Sequence, residues 1–329
     1  MSRRKNDGYG NMIPDAEDLD IALGSLPLIR GTWYFVDPKT GSNSNNGLSP
    51  GGAVADLQTA YGLCISGAGD GIVVFSAGTV AADTTSYLTA ALDWSKHAIT
   101  VIGVSAGGRM FGRARVANAT ASTNLAVLIT VSGDNNFFKG LHLFNGGSNV
   151  GAVGCVKVTG NRNHFEGCHF IGAGHATPAA AVGAYDIAID GGQENCFEKC
   201  VFGTDTIIRA AANGNILLDG GAWRTSFYDC DIIAYSETAG KGAIKSADAD
   251  SISGIHIFSR CRFLAWKPNG LGALTSAFIG TKPTSGQILL DSCSLAGWAA
   301  WDSVGGNDTL YVANSDATAS GAGGIATAP

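Results

Sequence analysis

Two glutamates, Glu166 and Glu198, occupy the same place in two successive copies of a repeated sequence pattern. If the copies stack, the two carboxylates lie side by side, and a pair about 5 Å apart is what a retaining glycosidase uses for catalysis. Asp190, just upstream of Glu198, is a third candidate for such a site. A polysaccharide lyase would instead need a base together with a cation or metal ion. The alternative, which we favour, is that these residues are the ordinary charges of a solvated face.

Eight cysteines offer thiol or metal chemistry, but their spacing indicates another role. A structural zinc site needs four converging Cys or His ligands, often arranged in C-x-x-C pairs, and the chain has no such pair. We therefore expect neither a metal site nor a cofactor. Five of the cysteines recur almost periodically, at 32, 30, 31 and 32 positions from one to the next: Cys168, Cys200, Cys230, Cys261 and Cys293.

These cysteines belong to a six-residue pattern that occurs six times. Its copies span residues 138–143, 165–170, 197–202, 227–232, 258–263 and 290–295. The first copy has Leu141 where the others have cysteine. The first residues of the copies are 27, 32, 30, 31 and 32 positions apart, and a period of this length over six copies is typical of a solenoid.

Each copy has the pattern of a short strand after a bend. The fourth and sixth positions are apolar on either side of a mostly polar fifth, which predicts a strand with one buried face. The polar or glycine third residue interrupts the alternation and predicts the bend. A second strand per repeat is predicted from alternating runs upstream, at 127–131, 155–158, 187–189 and 216–218. Short strands divided by turns, without long helices, predict an all-β parallel β-helix with about 30 residues per coil.

In such a coil, equivalent side chains of successive turns stack about 4.8 Å apart. The five periodic cysteines are then expected to form an interior column of reduced thiols, which are small and apolar enough for a narrow core. Disulfides between neighbouring coils are the alternative. Reduced thiols would place folding in a cytoplasm.

The segment before the repeats resembles a known family. Residues 33–38 (WYFVDP) and the Gly/Asn-rich residues 41–50 (GSNSNNGLSP) resemble the opening of pectate-lyase-like right-handed β-helix proteins, among them tailspikes and structural virion proteins of tailed bacteriophages. The resemblance implies a right-handed, single-stranded parallel β-helix over about residues 33–312. It also implies a short N-terminal capping helix, for which residues 53–65 are the candidate. The resemblance is specific for fold and not for activity.

Composition excludes several functional classes. Hydrophobic residues make up 45% of the 329 residues, too many for a disordered chain. The net charge of −6 argues against a general nucleic-acid binder. No run of 18 apolar residues predicts a membrane span, and no apolar run of the secretory type follows the basic start. We therefore expect no nucleic-acid partner, no membrane insertion and no export.

Three segments are expected: a docking arm at 1–30, the β-helix at 31–312 and an extended Ala/Gly-rich tail at 313–329. The arm combines basic, acidic and apolar stretches. We interpret it as a contact with another protein, and a disordered terminus is the alternative. The residues expected to dock are Arg3, Arg4, Lys5, Leu26, Leu28 and Ile29.

The sequence favours a structural bacteriophage virion protein without enzymatic activity. The resemblance implies a homotrimer that decorates the capsid or forms a small tail appendage, held by its arm to other virion proteins and assembled in the host cytoplasm. The alternative is a receptor-binding tailspike that binds and cleaves host surface polysaccharide. Aromatic platforms for that glycan could come from Trp223, Trp266, Trp298 and Trp301. A cellular carbohydrate-active enzyme is less favoured because β-helix enzymes of that kind are generally exported.

Overall fold

A computed structural model describes residues 29–76, 81–105, 114–268, 273–304 and 309–315. They form a right-handed parallel β-helix whose three parallel sheets run along one axis, which confirms the predicted fold. Of the residues expected to dock on a partner, Ile29 is described and half-buried. Outside the described ranges lie the tail beyond Ser315 and the other docking residues, Arg3, Arg4, Lys5, Leu26 and Leu28.

The described strands fall into three sheets, named here sheets 1, 2 and 3. Sheet 1 contains Trp33–Val36, Gly71–Phe75, Thr100–Val104, Phe137–Lys139, His164–Glu166, Cys196–Glu198, Ser226–Tyr228, Ile255–Ser259, Gln287–Asp291 and Leu310–Ala313. Sheet 2 contains Thr85–Leu88, Ala114–Asn118, Leu141–Phe144, His169–Ile171, Val201–Phe202, Asp231–Tyr235, Arg262–Trp266 and Ser294–Ala296. Sheet 3 contains Leu92–Trp94, Val127–Val131, Gly154–Val158, Tyr185–Asp190, Ile216–Asp219, Ile244–Ser246, Leu274–Gly280 and Trp298–Asp302.

From Gly71–Phe75 onward, each coil passes through sheets 1, 2 and 3 in turn, and each strand pairs in parallel with its equivalent in the next coil. The pairing keeps the sequence repeat in register, since Phe165 pairs with Phe138 on one side and with Phe197 on the other. The period of the sequence is therefore the length of one coil. Equivalent positions are neighbours across the sheet, although a whole coil separates them along the chain.

The first position of the repeat forms an aromatic column in the core. Phe138, Phe165, Phe197, Phe227 and Phe258 are buried, and their successive ring centroids lie 4.7, 4.8, 4.9 and 4.3 Å apart. These separations match the spacing of neighbouring strands. Parallel strands in register thus bring identical rings into stacking contact, which is favourable beyond the area that each ring buries.

The third position of the repeat is the bend between sheets 1 and 2, and its backbone is left-handed in all six copies. The residues and their φ angles are Gly140 (66°), Gly167 (59°), Lys199 (52°), Asp229 (53°), Arg260 (54°) and Ser292 (55°). This conformation favours glycine and disfavours other residues by about 1–2 kcal/mol. Four copies adopt it without glycine, so the stacking of the coil imposes the bend.

The fourth position carries the periodic cysteines, and all five are buried free thiols. Each Sγ donates to the carbonyl oxygen of the first-position phenylalanine in the preceding coil, at distances of 3.5, 3.3, 3.5, 3.4 and 3.2 Å from Cys168 to Cys293. Burial raises the pKa of Cys200 well above that of a free thiol. The column therefore packs the core and links successive coils.

A column of buried asparagines, at the turn from sheet 3 to sheet 1, was not predicted from the sequence. Asn136, Asn163 and Asn195 are buried there. The side-chain oxygen of Asn163 accepts from the backbone and side-chain N–H groups of Asn136, both at 3.0 Å, and its Nδ2 donates to Gly133 O at 3.0 Å. In three copies asparagine stands two residues before the first-position phenylalanine, so this column could have been predicted from the sequence.

The helices of the described chain are short. They are the capping helix Leu57–Leu63, a 3₁₀ turn at Pro50–Gly52, and single turns at Ala81–Thr84 and Ala176–Ala179. The capping helix is shorter than the predicted 53–65 because Val54 pairs with the first strand, donating to Phe35 O, and Asp56 caps the helix by accepting from Thr59 N–H at 2.7 Å. No helix in the described ranges is long and apolar enough to cross a membrane.

The last described residues repeat the bend once more. Val312 pairs with Leu290, Asn314 is left-handed with φ 48°, and the Ser315 hydroxyl donates to Leu290 O at 3.3 Å. Serine here takes the place of the periodic cysteine. The β-helix pattern therefore continues to Ser315, past the predicted boundary at 312.

Candidate functional site

The two candidate glutamates lie side by side on the outer face of sheet 1. Glu166 pairs in register with Glu198, while Phe165 and Phe197 beside them point into the core. Neighbouring parallel strands are about 4.8 Å apart, so the spacing of the two carboxylates fits the retaining arrangement of a glycosidase. Spacing alone does not assign the roles of acid and nucleophile.

Each of these carboxylates has a lysine of its own. Lys139 Nζ lies 3.2 Å from Glu166 Oε1, and Lys199 Nζ donates to Glu198 Oε1 at 2.6 Å. The bond to Glu198 raises the pKa of Lys199. A general acid needs an apolar pocket that keeps its carboxyl protonated, whereas these side chains are 27% and 33% exposed and lie beside ammonium groups. The arrangement supplies two lysine-paired carboxylates at a suitable spacing.

Asp190 does not join this pair. It ends a strand of sheet 3, and its carboxylate lies 2.5 Å from Lys157 Nζ on the neighbouring coil. Its register partner on the other side is Asp219, on the same sheet. The structure places Asp190 on a different sheet from Glu166 and Glu198, because the chain turns from sheet 3 to sheet 1 between Asp190 and Glu198.

His164 and Cys196 are register partners beside the glutamates, a combination that could suggest a thiol nucleophile. Burial lowers the pKa of His164, although Glu198 and Glu166 oppose that shift. Burial and the charge of Glu198 raise the pKa of Cys196 to about 11. The thiol is therefore protonated at neutral pH. The described residues also contain no group of three Cys, His, Asp or Glu side chains that could hold a metal ion.

The four candidate aromatic platforms differ in exposure. Trp298 and Trp301 are buried and cannot stack on a glycan. Trp223 is exposed, but the Arg224 guanidinium lies 4.2 Å from its ring centroid and its ring packs closely on Gly254. Trp266 is exposed on sheet 2. These four tryptophans therefore do not form a row of aromatic platforms beside the two glutamates.

A polar cluster that the sequence did not reveal lies at the corner between sheets 2 and 3, named here the buried corner. It consists of Asp186, Arg209, Asn215 and Lys241, all buried. Arg209 Nη2 donates to Asp186 Oδ1 at 2.7 Å, and Asn215 Nδ2 donates to Asp186 Oδ2 at 2.7 Å. Lys241 Nζ donates to Asn215 Oδ1 at 2.7 Å. Arg209 and Lys241 belong to irregular segments outside the repeat, so no periodic signal pointed to them.

The fold is similar to that of solved polysaccharide-active proteins. Pectin methylesterase from Aspergillus niger matches with 15% identity and a TM-score of 0.52, over 88% of this chain and 86% of that one. Pectin methylesterase PemA from Erwinia chrysanthemi matches with 14% identity and a TM-score of 0.54, over 86% and 90%. A rhamnogalacturonan lyase matches with 14% identity and a TM-score of 0.51, over 80% and 68%.

No protein-family model and no curated protein matches the sequence. At 14–15% identity, the likeness to the solved structures shows the parallel β-helix fold alone.

Proposed function

We propose that the chain is a structural virion protein of a bacteriophage. In this proposal it is a homotrimeric β-helix that decorates the capsid or forms a small tail appendage. Residues 1–30 anchor it to other virion proteins, and it is assembled in the host cytoplasm. The resemblance of residues 33–50 to the opening of phage β-helix proteins supports the phage origin, and the free, buried thiols of the cysteine column fit assembly in a reducing compartment.

The observation that carries a structural over a catalytic role is the ion pairing of sheet 1. The pairing of Glu166 and Glu198 with lysines extends to the turns that flank the sheet. Glu194 lies 2.7 Å from Arg162 and 3.0 Å from Arg224, and Asp229 lies 2.9 Å from Arg260. These contacts join successive coils. A face whose charges neutralise one another suits a scaffold better than a site that must take up and release protons.

A glycan-cleaving protein is the second candidate. Two observations favour it: the spacing of Glu166 and Glu198, and the solved structures of similar fold, which are named pectin methylesterase and rhamnogalacturonan lyase. Under this alternative the protein is a tailspike that acts on host surface polysaccharide.

Incubation with polysaccharides tests the choice. The purified chain is mixed with capsular polysaccharides, O-antigens, pectin and rhamnogalacturonan, and the products are followed by chain length, methanol release and the absorbance of unsaturated uronate. We expect no product. Cleavage that Glu166→Gln or Glu198→Gln abolishes, and that Asp190→Asn retains, would replace the structural proposal with the alternative.

Assembly is tested separately. We expect light scattering of the full chain to give three times the monomer mass. A chain without residues 1–30 should keep that mass but fail to join the phage particle, as judged by mass spectrometry of purified particles. A monomeric full chain would contradict the trimer, and a truncated chain found in particles would contradict the anchoring role.

A further inference from the structure

The buried corner holds more basic than acidic side chains. Arg209 is 3% exposed and Lys241 is fully buried, and Asp186 is the carboxylate that the described residues supply to both. Lys245 on the neighbouring strand adds a third cation that acts on Lys241. Burial raises the pKa of Asp186, and Arg209, Lys241 and the N–H donors of Gly172 and Asn215 oppose that shift. The corner is therefore cationic whenever Lys241 is protonated.

The hydrogen bonds in this corner are incomplete. Arg209 Nη2 donates to Gly172 O at 2.6 Å and to Asp186 Oδ1 at 2.7 Å, whereas its buried Nη1 has no acceptor among the described residues. Lys241 Nζ donates to Asn215 Oδ1 at 2.7 Å and to Gly242 O at 2.6 Å, which uses two of its three N–H groups. The corner therefore contains N–H donors that the described residues do not pair, on Arg209 Nη1 and on Lys241 Nζ.

Two responses can relieve a buried excess of positive charge: the lysine loses its proton, or an anion binds. Burial lowers the pKa of Lys241 well below its ordinary value, and Arg209 lowers it further. Deprotonation of Lys241 would reduce the charge but would not supply an acceptor for Arg209 Nη1, because a guanidinium keeps its protons. A water molecule would satisfy the donor and leave the charge. An anion does both.

We infer that the buried corner binds a small monovalent anion of the chloride class at Arg209 Nη1. The positive field of Lys241 and Lys245 adds to its binding. The site includes Gly172, where the chain leaves sheet 2, and Asp186 and Asn215, where two successive coils enter sheet 3. The bound anion would therefore hold these wide turns against the coil. This inference does not depend on whether the protein is structural or catalytic.

Thermal unfolding of the full chain tests the inference, with chloride as the probe and gluconate keeping the ionic strength constant. An anion that binds the folded state raises the unfolding midpoint with the logarithm of its concentration, by about 1–3 °C for each tenfold increase above its dissociation constant. We expect that rise in the full chain and in Lys157→Met, which removes a partly exposed lysine of sheet 3. We expect a smaller rise in Lys241→Met. Equal midpoints in chloride and gluconate would overturn the inference.

Bromide provides a second test that needs no variant. In crystals of the full chain soaked in bromide, we expect an anomalous peak within hydrogen-bond distance of Arg209 Nη1. A water molecule there with no bromide peak would overturn the inference. Bromide bound only at the surface would do the same.

Discussion

Two groups of ion pairs in this β-helix differ in burial and in their place in the repeat. On sheet 1, Glu166 and Glu198 pair with lysines on strands and bends that recur with the period, and their side chains remain partly exposed. At the buried corner, Asp186 and Arg209 are 0% and 3% exposed and lie outside the six-residue pattern. Exposed pairs stabilise proteins by about 0–1 kcal/mol. Breaking a buried pair costs about 3–5 kcal/mol.

The difference shows which charged residues tolerate substitution and which ones the stability of the fold depends on. The outer face of sheet 1 can exchange one charge for another from coil to coil, as Lys139, Glu166 and Glu198 do in register, because solvent screens each of them. The buried corner has no such freedom. Asp186 accepts from both Arg209 and Asn215, so changing the carboxylate leaves another group buried and unpaired.

The largest effect is expected from Asp186→Asn. The new amide would place an NH₂ donor against either Arg209 or Asn215, both of which donate to Asp186 in the native chain. We expect a loss of about 3–5 kcal/mol in the free energy of unfolding, measured by urea denaturation. Asp190→Asn, which breaks the partly exposed pair with Lys157, should lose less than about 1 kcal/mol. Equal losses in the two variants would remove the distinction between buried and exposed pairs.

The repeat explains why the fold was predictable and the buried corner was not. In a parallel β-helix each coil packs on its neighbours, so the same side-chain requirement recurs once per coil, and Phe165, Phe197 and Cys200 repeat in the sequence as they stack in space. Asp186, Arg209 and Lys241 meet only once, across turns of different length. Their sequence separation carries no period, and their contacts depend on the path of each turn.

The candidate site was predictable in position and not in chemistry. The register of the repeat placed Glu166 beside Glu198 correctly. It could not place Lys199 against Glu198, because that contact depends on the left-handed backbone of Lys199 at the bend. The role of a carboxylate depends on such neighbours, so the sequence alone left two interpretations of Glu166 and Glu198, a catalytic pair and the favoured one of ordinary charges on a solvated face.

The pH dependence of stability tests the contribution of the buried His256. Burial lowers the pKa of His256 to about 4, and His256 bonds Ala222 O through Nε2 at 3.0 Å. Between pH about 6.5 and 4 the unfolded chain binds more protons at this residue, so its contribution to stability is present above pH about 6.5 and is lost as pH falls towards 4. The loss reaches at most about 3 kcal/mol.

The variant His256→Gln keeps a donor and removes the titration, so its stability should fall less steeply over this window than that of the native chain. The measurement is the urea-unfolding midpoint at several pH values. Parallel curves for the native chain and His256→Gln would show that His256 does not titrate differently in the two states.

The asparagine column gives an intermediate case, since it is buried but uncharged. Asn163→Ala removes the acceptor of two Asn136 N–H groups and the donor to Gly133 O. We expect a loss of about 2 kcal/mol in the free energy of unfolding, because buried groups left unpaired cost about 1–3 kcal/mol. Asn149→Ala, in an exposed turn, is the matched control and should lose much less. A loss as large as that of Asp186→Asn would mean that burial matters more than charge.

The smallest effect is expected from Glu198→Gln on sheet 1. The amide oxygen can still accept from Lys199, and the second carboxylate oxygen lies 3.9 Å from His164 Nε2, beyond a hydrogen bond. We expect the free energy of unfolding to change by less than about 0.5 kcal/mol in urea denaturation. Lys199→Met, which removes the other half of the pair, should change it as little. A loss of about 3 kcal/mol or more in either variant would show that this pair behaves as a buried one. The open, self-neutralised face on which the structural role rests would then need another explanation.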